Sequence, residues 1–198
     1  MWNSPLRKKR ANLICAAIRL CFYSPESEPF DEIFLQQGIC QYDWPDGKDT
    51  SGRNGLTFDV VVFPNHLNLV PLLSEKFPNL RIVIDHLAKP PFGSDGWEEW
   101  ARQLKQAAEN PNVFAKLSGL NTAAGNGWSA EVLRPCIAYA MDVFGAERLM
   151  FGSDWPVAIL NGSYDEVWEE THLALSEFAA SERAAVFGGT AARFYRIP

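Results

Sequence analysis

Four apolar runs of the sequence each end in a cluster of polar residues. These residues are of types that can move protons or bind a divalent ion. Histidine and carboxylate side chains do this chemistry most often in proteins. Because each cluster follows an apolar run, the pattern predicts one active site built from several strand ends. In chain order the clusters are Asn65 and His66; Asp85, His86 and Lys89; Lys116, Ser118 and Asn121; and Ser153, Asp154 and Trp155.

The elements that must position these clusters alternate between strand and helix. The apolar runs are rich in β-branched and aromatic residues, as strands buried on both faces are. After each run, apolar residues recur at helical spacing. The predicted strands are 56–63, 80–85, 113–117 and 148–151, and the predicted helical stripes run over 69–77, 97–108, 133–144 and 167–178.

Serine and threonine residues mark the expected helix starts. Ser94 and Ser163 are predicted to begin two of the longer helices, Ser163 through a capping box with Glu166. Ser181 and Thr190 are predicted to begin two short helices near the end of the sequence.

Repetition of strand and helix over residues 56–180 predicts an α/β protein with a parallel sheet flanked by helices. Two architectures fit this repetition, an open doubly wound sheet and a (β/α)8 barrel. Neither the GxGxxG nor the GxxxxGK[ST] phosphate-binding motif occurs, so nothing favours a nucleotide-binding open sheet. In both architectures the chemistry gathers at the carboxyl ends of the strands.

His86 and Asp154 are the strongest candidates for catalysis. His86 follows a strand and precedes Lys89, which favours a site role over that of a hydrogen-bonded core histidine. Asp154 lies between Gly152, which permits unusual backbone angles, and Pro156, which stiffens the chain. Such a turn can aim a carboxylate into a cleft as a general base or metal ligand. The alternative for Asp154 is a turn or helix-cap residue.

The remaining candidates each keep two interpretations. Either His66 or its neighbour Asn65 faces the site, and Trp155 is either a packing residue or a wall of the substrate pocket. Lys116 lies in mid-strand, where an unpaired cation is costly to bury, so it should point at the mouth of the site or at a carboxylate. Asp85 faces a barrel wall or pairs with Lys89.

Composition narrows the classes of protein. Of 198 residues, 47% are hydrophobic, which suffices for a core, and the net charge of −6 argues against a nucleic-acid partner. No apolar run approaches the roughly 18 residues of a membrane span. The four cysteines form no CxxC pair and are typical of reduced thiols in a cytoplasmic protein.

The ordered part of the sequence begins near residue 56. Residues 24–55 are rich in proline, glycine and polar residues, and a structureless stretch of that length is uncommon inside a domain. We therefore expect an irregular or divergent N-terminal segment over 1–55 and a second unit over 56–198.

Three motifs together resemble the amidohydrolase-related family, in the branch of TIM-barrel hydrolases that includes sugar lactonases. They are Val83-Ile84-Asp85-His86-Leu87-Ala88-Lys89-Pro90, Lys116-Leu117-Ser118-Gly119-Leu120 and Phe151-Gly152-Ser153-Asp154-Trp155-Pro156. The segment 189–195 is similar to the terminal helix of that family. The resemblance covers about residues 56–198.

The resemblance implies a partial (β/α)8 barrel in which the four predicted strands are strands five to eight. It implies that Asp154 activates water or binds a metal, and that His86 polarises the substrate carbonyl or binds the same ion. The resemblance places His66 as a site residue of strand five. Together with Lys89, Lys116 and Trp155, His66 forms the expected substrate-binding set. The hydrolase would be metal-dependent or metal-optional, and the cofactor, where one is bound, would be a divalent ion, zinc or manganese.

The family's strand-one His-x-His element has no counterpart, because the first histidine is His66. A complete barrel needs about 250 residues. The function predicted from the resemblance is hydrolysis of a small sugar lactone, a small-molecule substrate. The alternatives are a carboxy-lyase of the same superfamily and an inactive half-barrel. Open sheet edges on a half-barrel would favour a homo-oligomer.

Overall fold

A parallel sheet of five strands runs through the computed structural model, which describes residues 17–21, 57–93 and 95–197. Each strand pairs in parallel with the next one along the chain. The strands are β1 (Ala17–Cys21), β2 (Thr57–Val61), β3 (Arg81–Ile84), β4 (Val113–Leu117) and β5 (Leu149–Phe151). The predicted α/β class with a parallel sheet is confirmed.

Strand β1 lies in the segment expected to be irregular. It pairs with β2 in register from Ala17 opposite Thr57 to Cys21 opposite Val61. The sheet therefore has one strand more than the four predicted from the repeated units. The rest of the predicted N-terminal segment lies outside the described residues.

Seven α-helices accompany the strands in the described part of the chain, and they match the predicted helical stripes except that the stripe over 167–178 extends four residues beyond its helix. They are α1 (Leu69–Lys76), α2 (Trp97–Ala108), α3 (Leu120–Ala124), α4 (Ala130–Phe144), α5 (Tyr164–Ala174), α6 (Ala180–Ala184) and α7 (Thr190–Tyr195). None of the helices within the described ranges is long and apolar enough to cross a membrane.

The helix starts were predicted with mixed success. The capping box before α5 is confirmed, because Glu166 N–H donates to Ser163 Oγ over 3.1 Å and Ser163 N–H donates to Glu166 Oε2 over 2.6 Å. The predicted cap Ser94 lies outside the described residues. Helix α6 begins at Ala180, one residue before Ser181. Thr190 is the first helical residue of α7 rather than its cap, because Gly189 before it already has helical angles.

The two faces of the sheet carry different packing layers. Ile82 and Ile84 belong to the main core shared with the helices. On the opposite face, Val83 and Met150 pack against Phe194 of α7. Alternation of side chains along a strand produces this division. The last helix therefore lies against the sheet face that also carries the polar residues described next.

Candidate active site

His86 lies on a left-handed turn that follows β3. Four consecutive non-glycine residues have positive φ: His86 at 57°, Leu87 at 48°, Ala88 at 56° and Lys89 at 54°. A left-handed conformation costs an L-residue about 1–2 kcal/mol. Such strain persists only where the surroundings fix it, and it concentrates at functional sites. Leu87 and Ala88 are fully buried, so the turn is embedded in the core rather than exposed as a loop.

The His86 ring bridges the ends of β4 and β5. Its Nδ1 lies 2.8 Å from Ser118 Oγ, and its Nε2 lies 3.8 Å from Asp154 Oδ1. Burial lowers the pKa of His86, although the charges of Asp154 and Asp85 act in the opposite direction. A neutral ring that accepts a hydrogen bond from the Ser118 hydroxyl at Nδ1 carries its own proton at Nε2, facing Asp154.

Gly119 allows this close approach. Its φ is +57°, and a Cβ placed there would lie 2.7 Å from Asp154 Oδ2 and 2.9 Å from His86 Nδ1. Asp154 is itself left-handed, with φ of 56°. The backbone after β4 therefore forms one wall of the gap between the two candidate catalytic groups. Ser118 was predicted only as a member of the third polar cluster, and Gly119 was not predicted to matter.

Lys116 forms the centre of a buried ionic network. Its Nζ lies 2.7 Å from Asp59 Oδ2 and 2.7 Å from Asp85 Oδ1. Tyr195 Oη is 2.9 Å from both carboxylate oxygens of Asp59. Burial opposes the charged form, but the charges of Asp85 and Asp59 outweigh it and raise the pKa of Lys116. Of the two predicted interpretations, Lys116 points at carboxylates, and it rather than Lys89 is the lysine that pairs with Asp85.

His66 and Lys89 meet around one aromatic ring. Lys89 Nζ lies 4.5 Å from the centre of the Phe63 ring, and His66 packs edge-on against the same ring at 6.2 Å. His66 is buried, and its Nε2 lies 3.2 Å from Asn65 Nδ2. Burial lowers the pKa of His66. His66, which follows β2, and Lys89, which follows β3, thus lie close together at the turn that carries His86.

Trp155 lies at the exposed rim of the site. It is 66% exposed, which does not fit the packing interpretation, and it begins an exposed apolar loop with Val157, Ile159 and Leu160. Asn121 anchors this loop from α3, because its Nδ2 donates to the carbonyl oxygen of Ala158 over 2.9 Å. The segment after β5 is therefore held at Ala158 while its apolar side chains face solvent.

His172 takes no part in this arrangement. It lies in α5, where its ring stacks on Phe187 at 3.8 Å and contacts Trp168 at 4.5 Å. Burial lowers the pKa of His172. The histidine belongs to an aromatic cluster between helices, as expected for a packing residue.

A metal ion would find two donors here, His86 Nε2 and Asp154 Oδ1. Catalytic zinc sites use three protein ligands. Within the described ranges no group of three histidine, cysteine, aspartate or glutamate residues could hold an ion. The described residues alone therefore do not fit a complete metal site, and we assign no chemical step to an ion.

The chain is similar in sequence to known proteins. A family profile described as amidohydrolase matches residues 52–197. The L-fucono-1,5-lactonase of Burkholderia ambifaria is 39% identical over 175 residues, which cover 82% of this chain and 60% of that protein.

Solved structures of amidohydrolases are also similar to this chain. An amidohydrolase from Burkholderia multivorans with bound zinc is 37% identical with a TM-score of 0.68, covering 76% of this chain and 58% of that one. A second crystal form of that protein, with bound HEPES, is 31% identical with a TM-score of 0.75, covering 98% of this chain and 71% of that one. The chain spans about 60% of the length of the lactonase that it matches.

Proposed function

The chain belongs to the amidohydrolase family, and from that premise we propose that it hydrolyses the ester bond of a small sugar lactone. The observation that carries the proposal is the separation of 3.8 Å between His86 Nε2 and Asp154 Oδ1. Asp154 can accept a proton and His86 can donate a hydrogen bond, and the two groups are close enough to act on the same bound substrate. Similarity to a protein named as a lactonase supplies the substrate class.

In the proposed reaction, Asp154 accepts a proton from a water molecule as that water attacks the lactone carbonyl carbon. The carbonyl oxygen becomes an oxyanion, which the Nε2 proton of His86 stabilises through a hydrogen bond. The intermediate then collapses, and the bond between the carbonyl carbon and the ring oxygen breaks. The proton held by Asp154 passes to the departing ring oxygen, so the product is an open hydroxy acid.

The substrate contacts are proposed for residues around the same mouth. Lys89 and His66, which share the Phe63 ring, are placed to contact hydroxyl groups or the new carboxylate. Trp155 offers an exposed ring to the sugar face. Lys116 keeps its ammonium group on Asp59 and Asp85, so its proposed contribution is to fix the floor of the site.

We also propose that β2 to β5 are strands five to eight of a (β/α)8 barrel. Their order, their parallel pairing and the superposition on longer amidohydrolases support this numbering. The family match begins at residue 52, close to the proposed boundary between 1–55 and 56–198. A cytoplasmic location and the lack of nucleic-acid and membrane partners stay predictions.

We also propose a zinc or manganese ion for which His86 and Asp154 would supply two of the ligands, although these two donors alone do not complete a site. The relative that was crystallised with zinc supports it. Elemental analysis of purified protein tests it directly, and reconstitution with either ion after chelation shows whether any activity depends on the ion.

A panel of aldonolactones with a pH indicator tests the function, because each turnover releases a carboxylic acid. Loss of acid release in Asp154→Asn would support the proposed base. If lactones are inert while a carboxylated ring compound loses CO2, the carboxy-lyase alternative holds instead. No turnover of either class would favour a non-catalytic chain.

A further inference from the structure

The geometry points to Trp100 and Asp85 as positioning residues that hold the left-handed turn Asp85–Lys89 and thereby aim the His86 ring at Asp154. The inference rests on the role of His86 in the proposed function. Neither residue reaches the reacting atoms, so each would act through His86.

The turn needs outside support because of its composition. Residues 86–89 include no glycine, although all four have positive φ. Inside the turn, a backbone hydrogen bond runs from Lys89 N–H to the carbonyl oxygen of His86, over 2.8 Å. Left-handed backbone is disfavoured for such residues, so contacts from neighbouring elements must select it.

Trp100 provides the first contact, from helix α2. Its indole Nε1 donates to the carbonyl oxygen of Leu87 over 2.9 Å, at a fully buried position. The indole is itself held between aromatic rings, 4.8 Å from Trp97 and 5.8 Å from Tyr139. A buried carbonyl group needs a partner, and here the partner is a rigid ring with one fixed donor.

Asp85 provides the second contact, on the other side of His86. It is 1% exposed, and its Oδ1 lies 2.7 Å from Lys116 Nζ on β4. Lys116 is tied in turn to Asp59 on β2. The residue directly before His86 is therefore fixed to two neighbouring strands.

The two contacts fix the backbone on both sides of His86, and the Ser118 bond then fixes the rotation of its ring. This arrangement leaves the imidazole with little to reorganise when a substrate binds. Misplacement by about 1 Å can cost on the order of 100-fold in rate.

Trp100→Phe tests the first contact, since it keeps an aromatic ring and removes the donor. The matched control is Tyr139→Phe, which removes the 2.7 Å bond from Tyr139 Oη to the carbonyl oxygen of Ala101 in the same aromatic group but does not touch the turn. The readout is the ¹⁵N ring spectrum of the protein's three histidines at one pH well above their titration.

Wild type should show one distinct tautomer for His86. In Trp100→Phe the two His86 nitrogen shifts should move toward each other, because the ring samples several orientations, while the signals of His66 and His172 stay in place. Tyr139→Phe should leave all three histidines unchanged. Unmoved His86 signals in a folded Trp100→Phe protein would overturn the role of Trp100.

If all three histidine signals collapse in Trp100→Phe, the variant has unfolded, and the Asp85→Asn variant then tests the inference. That change keeps the side-chain shape and leaves Lys116 paired with Asp59. It should shift the His86 signals alone, and unchanged signals would overturn the inference.

If the wild-type chain is active, kcat of Trp100→Phe and Asp85→Asn should fall about tenfold or more while KM stays within about threefold. If the lactones are not hydrolysed but the His86 signals shift, the proposed function is wrong and the positioning role stands.

Discussion

At the scale of single residues, the distance between His86 and Asp154 depends on a residue that has no side chain. Gly119→Ala would place a Cβ 2.7 Å from Asp154 Oδ2 and 2.9 Å from His86 Nδ1. We expect it to lower kcat/KM for the lactone by about 100-fold, since the catalytic groups must move apart.

Gly125→Ala is the matched control for this change. Gly125 also has positive φ, +75°, but nothing lies within 4 Å of its added Cβ. Both variants should lose about 1–3 kcal/mol of folding free energy from backbone strain, measured by urea unfolding, and Gly119→Ala alone should lose activity. Equal activities in the two variants would show that crowding at Gly119 does not matter.

Residue types alone singled out His86 and Asp154 as candidates, because a histidine and a carboxylate after predicted strands are unusual enough to notice, and the structure brings the two side chains within 3.8 Å of each other. Gly119, Ser118 and Tyr195 were not assigned roles. Their importance lies in distances to residues far away in sequence, such as the 136 positions between Asp59 and Tyr195. A single sequence carries no signal for such a pairing.

At the scale of elements, the network around Lys116 joins two strands, the turn after β3 and the last helix. Lys116→Met would leave the carboxylates of Asp59 and Asp85 buried without their shared cation. Breaking a buried ion pair in this way costs about 3–5 kcal/mol, so the urea midpoint should fall markedly.

Arg102→Met is the control for this change, since it removes an ion pair with Glu99 that lies on the surface of α2. Exposed pairs contribute little, so its midpoint should stay close to that of wild type. Similar losses in both variants would contradict the account of the buried network.

Elements were predictable where their pattern was local. β2, β3 and β4 are apolar runs ended by polar residues, and their predicted positions agree with the structure to within two residues at each end. The left-handed turn was not predictable, because its residues 86–89 contain neither glycine nor asparagine, the usual marks of positive φ. Contacts with Trp100 and Lys116 select its conformation, and those partners lie outside the local sequence.

At the scale of the whole molecule, the described sheet is open beside β5, whose described pairing is with β4 alone. The apolar loop that follows β5 exposes Leu160 by 80% and Ile159 by 59%. Open edges and exposed apolar groups favour association between copies. We therefore expect the mass measured by analytical ultracentrifugation to rise with protein concentration.

Leu160→Glu should weaken that association, since it places a charge in the apolar loop without touching His86 or Asp154. Its circular dichroism spectrum should match that of wild type. A constant monomer mass for wild type at all concentrations, or an unchanged association in Leu160→Glu, would contradict the role of this surface.

The most direct test of the central claim is acid release from aldonolactones by the purified chain and by its Asp154→Asn variant. The account predicts measurable hydrolysis by the wild-type chain and a loss of at least about 100-fold in the variant, which keeps the shape of the side chain but cannot accept the proton from water. Equal rates in the two proteins would contradict the assignment of Asp154 as the base, and the absence of hydrolysis in both would contradict the lactonase function of this chain.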